Sequence, residues 1–259
     1  PEMSRGLGDV YKRQLFESLA ETLGYHANKD AMLHLALRAP LRAIRECPEA
    51  LLFGTAGFLL PVLPDSCTAE AVAHHKKLWT QWWPLREQFE LAPERSFPWT
   101  FSGSRPANHP QRRAGALAVI AADFATFKRL CHSGPAEELA DYLSSLRHPY
   151  WSTHVTLPSA PSPRPMALMG RDRILDFTVN HLFPAKGDEH AWLHYLSLRA
   201  GQAGTKVLSV HQSLLGGRPD AKAFLAKAWH HQALLQIHED LCSLHSCTVC
   251  SLIGRMGKK

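Results

Sequence analysis

Nowhere along its 259 residues does this sequence alternate cleanly between apolar and polar side chains over a strand-length run. A half-buried strand needs that period of two, and no Asn-Gly or Asp-Gly pair offers a tight hairpin turn. Helical punctuation recurs instead. Leu15, Phe16, Leu19 and Leu23 form an apolar stripe at helical spacing, stopped by Gly24. Asn28 is placed to cap a helix running to Ala39, and Pro40 stops it or opens the next. Pro48 opens a helix through Leu51, Leu52 and Phe58. Thr68 precedes a longer one bearing Leu78, Trp79, Trp82 and Trp83, which Pro84 ends or kinks. From Pro110 a strong helix runs through Leu117, Ile120, Phe124 and Phe127 to Gly134. Gly134-Pro135 then leads into a helix ending near Leu146, the pattern of an antiparallel pair. Leu and Ala together number about 70 against 14 Val plus Ile, a balance that favours helix over strand.

Four prolines in 152–165 make that stretch an extended connector and not a packed element. Beyond it, helices are expected at 171–183, 188–200, 204–215 and 220–241. The fold class is therefore all-α, an irregular multi-helix array in two helical lobes, 15–151 and 166–259. Residues 1–14 show neither apolar periodicity nor a helix cap. They resemble a translated sequencing-adapter read-through, a non-native leader; a natural flexible terminus is the alternative. Either origin predicts that they pack on nothing, and a leader of the first kind implies a missing N-terminal segment.

Several classes are excluded at this level. A hydrophobic content of 45% with 20% charged residues is not that of a disordered chain. The longest uncharged apolar stretch, Ala50 to Pro64, is interrupted by Gly54, Gly57 and Pro61 and is too short to span a bilayer. Six cysteines in a chain this long do not form a disulfide scaffold, so a reducing, cytoplasmic setting is expected. The 16 histidines scatter without a His-Glu-x-x-His arrangement. There is no Gly-x-Ser-x-Gly elbow, phosphate-cradling glycine loop or dinucleotide fingerprint, and no catalytic centre is evident.

Three phrases occur together: Glu49-Ala-Leu-Leu-Phe-Gly-Thr-Ala-Gly57, Gly103-Ser-Arg-Pro-Ala-Asn-His-Pro110 and Gly170-Arg-Asp-Arg-Ile-Leu-Asp-Phe-Thr-Val-Asn180. With the C-terminal Cys242, Cys247 and Cys250, they make the chain resemble the bacterial family catalogued as domain of unknown function 2851 over nearly everything after residue 15. Members of that family usually begin with a segment rich in acidic and Val-Glu-Ile-His-like motifs that looks like a restriction-endonuclease-type core. The resemblance thus implies the C-terminal portion of a larger nuclease-like protein, and the family brings no assigned activity.

Arg105, Asn108, His109, Arg112 and Arg113 surround the start of the Pro110 helix. Free backbone N–H groups, a positive helix end and three guanidiniums suit a phosphate, and Trp99 and Phe101 upstream suit a base. The competing reading is a buried structural corner, with Arg105 paired to a carboxylate and Asn108 bonding the backbone. Arg171 and Arg173 open the next helix as a second phosphate contact, with Asn180 further along as a half-buried polar residue. Trp79, Trp82 and Trp83 read as core packing or as an aromatic platform.

The run from His238 to Cys250 is the sharpest chemical cluster. Four-residue spacing puts His238 and Cys242 on one helical face, and Cys247-x-x-Cys250 is a chelating turn. A structural zinc with His238 or His245 as fourth ligand competes with three reduced thiols. An iron–sulfur cluster would need a distant cysteine such as Cys131. The net charge of +6 and the arginine-rich corner point to nucleic acid as a partner. The alternative is a structural or protein-interaction scaffold with no nucleic-acid role.

Overall fold

The computed structural model describes residues 2–44, 46–91, 97–102 and 105–243, with 2–9 as backbone only. The fold is all-α, with no strand among the described residues. It divides into two compact units, residues 1–177 and 178–259.

The first helix, α1 (Glu2–Arg38), is kinked at Tyr25 and Asn28, where the backbone leaves helical geometry. That is where the sequence ends one apolar stripe and begins the next. A Cβ on Gly24 would meet the Lys29 backbone at 2.7 Å, so only glycine lets the chain fold this tightly. Asn28 does not spend its side chain on a cap. It clamps Thr100, donating from Nδ2 to the Thr100 carbonyl and accepting from its N–H, both at 2.8 Å.

The expectation that residues 1–14 pack on nothing is corrected by Tyr11 and Arg13. Tyr11 meets the His132 ring edge-on at 6.1 Å, and Arg13 donates to the Leu37 carbonyl at 3.4 Å. Tyr11 precedes Leu15 by one turn and shares its face, so a helix nucleated by the stripe carries the tyrosine onto the same surface.

The rest of the first unit comprises α2 (Leu41–Ile44), α3 (Pro48–Thr55), α4 (Ala69–Gln88), α5 (Pro110–Ala122), α6 (Phe124–Ser133), α7 (Ala136–Ser145) and α8 (Arg171–Phe177). Helix α3 packs between α4 and α5, and α1 covers α5. Two glycines set these approaches. A Cβ at Gly54 would fall 2.0 Å from the Trp82 ring, and one at Gly115 would fall 2.6 Å from Trp151. Trp82 is therefore core, while Trp83 is exposed with Arg86 over its ring. The single helix expected from Pro110 to Gly134 is broken at Asp123, whose φ of −118° and ψ of 43° are not helical. Pro84 does not end α4, which runs on to Gln88.

The proline-rich 152–165 stretch lies inside the first unit and is packed. Leu157 is buried, Ser162 N–H bonds the Thr153 carbonyl at 2.8 Å, and Met166 N–H bonds that of Ser152 at 2.7 Å. Proline fixes the turns, and the Leu157 N–H bonds the Gln111 side chain at 2.7 Å.

The second unit holds α9 (Phe183–Lys186), α10 (Glu189–Ser197), α11 (Thr205–Leu215) and α12 (Ala228–Ile237), with wide π-type turns at Thr178–Leu182 and His238–Cys242. Val207, Val210 and Leu234 form its apolar centre. The helix expected over 220–241 is interrupted. Ala200 N–H bonds the Ala226 carbonyl and Ala228 N–H bonds that of Leu198, which holds Lys227 extended beside Arg199.

Candidate functional site

The arginines of the basic corner point in two directions. Arg112 is 0% exposed and Arg113 5%. Arg112 Nη2 donates to the carbonyls of Met166 and Ala167 at 2.8 and 3.0 Å, and Nη1 to that of Ala107 at 3.3 Å. Arg113 donates to the Leu168 carbonyl at 2.8 Å and to Asn108 Oδ1. Burial, then the charges of Arg112 and Arg173, push the Arg113 guanidinium down to about 10, which leaves it charged at neutral pH. Arg105 stays at the surface and joins none of these bonds.

The N-terminus of α5 is also occupied from within. His109 Nδ1 accepts the Gln111 N–H at 3.3 Å, and the His109 ring stacks on Phe101 at 5.5 Å. Of the second pair, Arg171 is exposed. Arg173 pairs with Asp176 and lies over the Tyr25 ring at 4.0 Å. In the second unit, Gln232 donates to Asn180 at 3.3 Å.

Of the proposed metal ligands, His238 lies in the last described turn with Nδ1 3.5 Å from Glu239 Oε1. Cys242 is half-buried and packs against the Val207–Val210–Leu234 centre. His245, Cys247 and Cys250 lie outside the described residues. Among the described residues no three His, Cys, Asp or Glu side chains are grouped to hold a metal.

The densest polar arrangement lies elsewhere, around Glu49 in the first turn of α3. Glu49 Oε1 accepts from His74 Nε2 at 2.8 Å and from the Trp151 indole N–H. Glu49 Oε2 faces His148 Nε2 at 3.6 Å. The backbone fixes the rest. His148 Nδ1 accepts the N–H groups of Tyr150 and Trp151 at 3.1 and 3.2 Å. A nitrogen that accepts cannot also carry a proton, so the His148 proton sits on Nε2 and points at the carboxylate.

The electrostatics follow from this geometry. Burial alone would raise the Glu49 carboxyl, but the His74 hydrogen bond and charge, then His148 and Trp151, hold it below the usual carboxylate range. Burial lowers the His148 imidazole, with Glu49 opposing and His74 and Lys77 adding to the fall. The result is an ionised acceptor beside a neutral donor. Behind His74, the Tyr150 ring lies flat between His74 at 4.0 Å and His154 at 3.8 Å.

Glu49 and His148 open onto a pocket of about 300 Å³ that Cys47, Lys77, Gln81 and Arg147 also line. Sequence reasoning missed this cluster because 25 residues separate Glu49 from His74 and 99 separate it from His148. The one local signal was that Glu49 heads the Glu-Ala-Leu-Leu-Phe-Gly-Thr-Ala-Gly phrase.

An all-helical chain with a half-buried carboxylate at the edge of an open cleft is the class that fold and site define. The family described as "Protein of unknown function (DUF2851)" matches residues 4–192, most of the chain, and the protein belongs to it. No curated protein and no solved structure matches the chain. No helix among the described residues is long and apolar enough to cross a membrane.

Proposed function

We propose that this chain is a helical ligand-binding module whose working site is the Glu49–His148 cleft. Its ligand is a small anion bearing a hydroxyl group. The observation that carries this reading is the fixed His148 tautomer, which sets an N–H donor 3.6 Å from an ionised carboxylate oxygen. A hydroxyl is the group that satisfies both at once, donating to Glu49 while accepting from His148. Lys77 and Arg147 line the same pocket and suit a phosphate or carboxylate on that ligand. A volume of about 300 Å³ suits a small metabolite.

Calorimetric titration with glycerol phosphate tests it. Saturable binding is expected, weakened roughly tenfold or more by Lys77→Ala, whose side chain is exposed and dispensable for folding. Absence of binding up to about 10 mM overturns the reading.

A second reading, association with nucleic acid as part of a larger nuclease-like protein, is supported by the net charge of +6 and by surface-facing Arg105 and Arg171. Short DNA or RNA should then bind with an affinity that falls steeply with salt. Flat or undetectable binding removes it.

A further inference from the structure

The second unit holds a larger pocket, of about 470 Å³, built where α9 turns into α10. Gly187 adopts a left-handed φ of 61° to end α9, and Asp188 accepts the Ala191 N–H at 2.7 Å to start α10. That tight corner brings Phe183 beneath Tyr195, their rings meeting edge-on at 6.3 Å. Trp192, 57% exposed, stands 5.7 Å from Tyr195 and forms an open aromatic wall. An exposed indole at a pocket rim lacks the covering that a core tryptophan has, and stacking on a flat ring would supply it.

The polar groups lie together. The wide turn at Thr178–Leu182 places Asn180 at the rim, where its Oδ1 accepts one N–H of Gln232. Gln232 keeps a second N–H and its Oε1, and among the described residues neither has another partner. Asp188 already spends one carboxylate oxygen on the α10 cap. The pocket therefore has apolar faces, the amide edge of Gln232 and the second carboxylate oxygen of Asp188.

We infer that this pocket binds a nucleobase. Adenine presents two apolar faces and, along one edge, an N6 amino donor beside the N7 acceptor. The Oε1 and remaining N–H of a glutamine match that edge two for two. Guanine matches the same pair through its N1–H and O6. A sugar stacks on tryptophan equally well, but its hydroxyls surround the ring, and on the Phe183 side they would face hydrocarbon. A stacked base gains further from the Trp192 face.

Titration of the full chain with adenosine, followed by ligand-observed NMR, is the test. Adenosine should bind with a Kd below about 1 mM, and Gln232→Ala should weaken it roughly tenfold. Trp192→Ala should weaken it similarly, while Trp192→Phe keeps a stacking face and retains most of the affinity. Methyl glucoside should bind more weakly than adenosine. Circular dichroism checks that each variant is folded, and Trp192→Phe provides a measurement if Trp192→Ala is not. The inference is overturned by no adenosine binding at about 5 mM. It is equally overturned if binding is unchanged in the Gln232 and Trp192 variants, or if methyl glucoside binds as tightly.

Discussion

Arg112 and Met166, 54 residues apart, are joined by a 2.8 Å hydrogen bond from guanidinium to backbone carbonyl. Through it α5 holds the chain that leaves the proline-rich loop, and Arg113 repeats the device one residue along with Leu168. Both guanidiniums are buried, and among the described residues no carboxylate pairs with either. Their charge is spread over carbonyl dipoles, which is workable only while every acceptor stays in place. Arg112→Ala should cost about 3 kcal/mol or more of stability, because three carbonyl contacts are lost at once. Arg112→Lys should recover little of it, since an ammonium cannot span the fork. A chemical denaturation series measures both. A change within about 0.5 kcal/mol would show that the carbonyls find other donors.

Gly54→Ala should be among the most damaging methyl additions in the molecule. The new Cβ would sit 2.0 Å from the Trp82 ring, so either the indole or α3 must move. A loss of about 3 kcal/mol is expected, at the upper end for overpacking. Gly204→Ala, with nothing within 4 Å, should change stability little. Comparable melting temperatures for the two variants would contradict this account of how α3 and α4 meet.

Stability should fall as pH drops below about 6.5, in two stages. Burial lowers His148 and His109 from their ordinary 6.5, so below that value the unfolded chain takes up protons that the folded chain refuses. Their contribution is complete above 6.5 and is lost on acidification. Glu49 is held below its ordinary 4.5, so its contribution is present above 4.5 and disappears as pH falls through the lower folded value. His148→Asn keeps an acceptor for the two backbone N–H groups and cannot titrate. It should diminish the first stage, to which His109 still contributes, and weaken the second, because His148 helps hold Glu49 down. Melting curves from about pH 8 to pH 4 would decide, and a stability that rises below pH 6.5 would contradict the assignment.

Much of the first unit was legible because its signals are local. Gly24 and Asn28 mark the kink in α1, and Thr68 caps α4 by accepting the Ala71 N–H at 3.2 Å. The direction of Arg112 and Arg113 was not legible. Their acceptors at 166–168 come within reach only because the proline-rich loop folds back, and proline count alone reads as extension. The Glu49 cluster escaped for the related reason that its members arrive from α3, α4 and the turn after α7. Residue type showed chemistry in the corner at 105–113, but packing decided which groups remained for a ligand.

A structural zinc on His238, Cys242, Cys247 and Cys250, with His245 as the alternative fourth ligand, remains a separate proposal. Elemental analysis of protein purified without chelator should give close to one zinc per chain, with less as pH falls and thiolates protonate. Cys247→Ser should lower the zinc content, whereas Cys67→Ser should not. Less than about 0.2 metal per chain would refute the site.

The cleft itself is tested most directly by nitrogen NMR of histidine-labelled protein with and without glycerol phosphate. His148 should show Nε2 protonated and Nδ1 bare at about pH 7, because two backbone N–H groups occupy Nδ1. Its Nε2 signal should move as glycerol phosphate is added, while the His211 signal, from a ring buried in the second unit and bonded to the Ala221 carbonyl, stays fixed. An Nδ1-protonated His148, or an Nε2 signal that ignores saturating glycerol phosphate, would contradict the binding site proposed for Glu49 and His148.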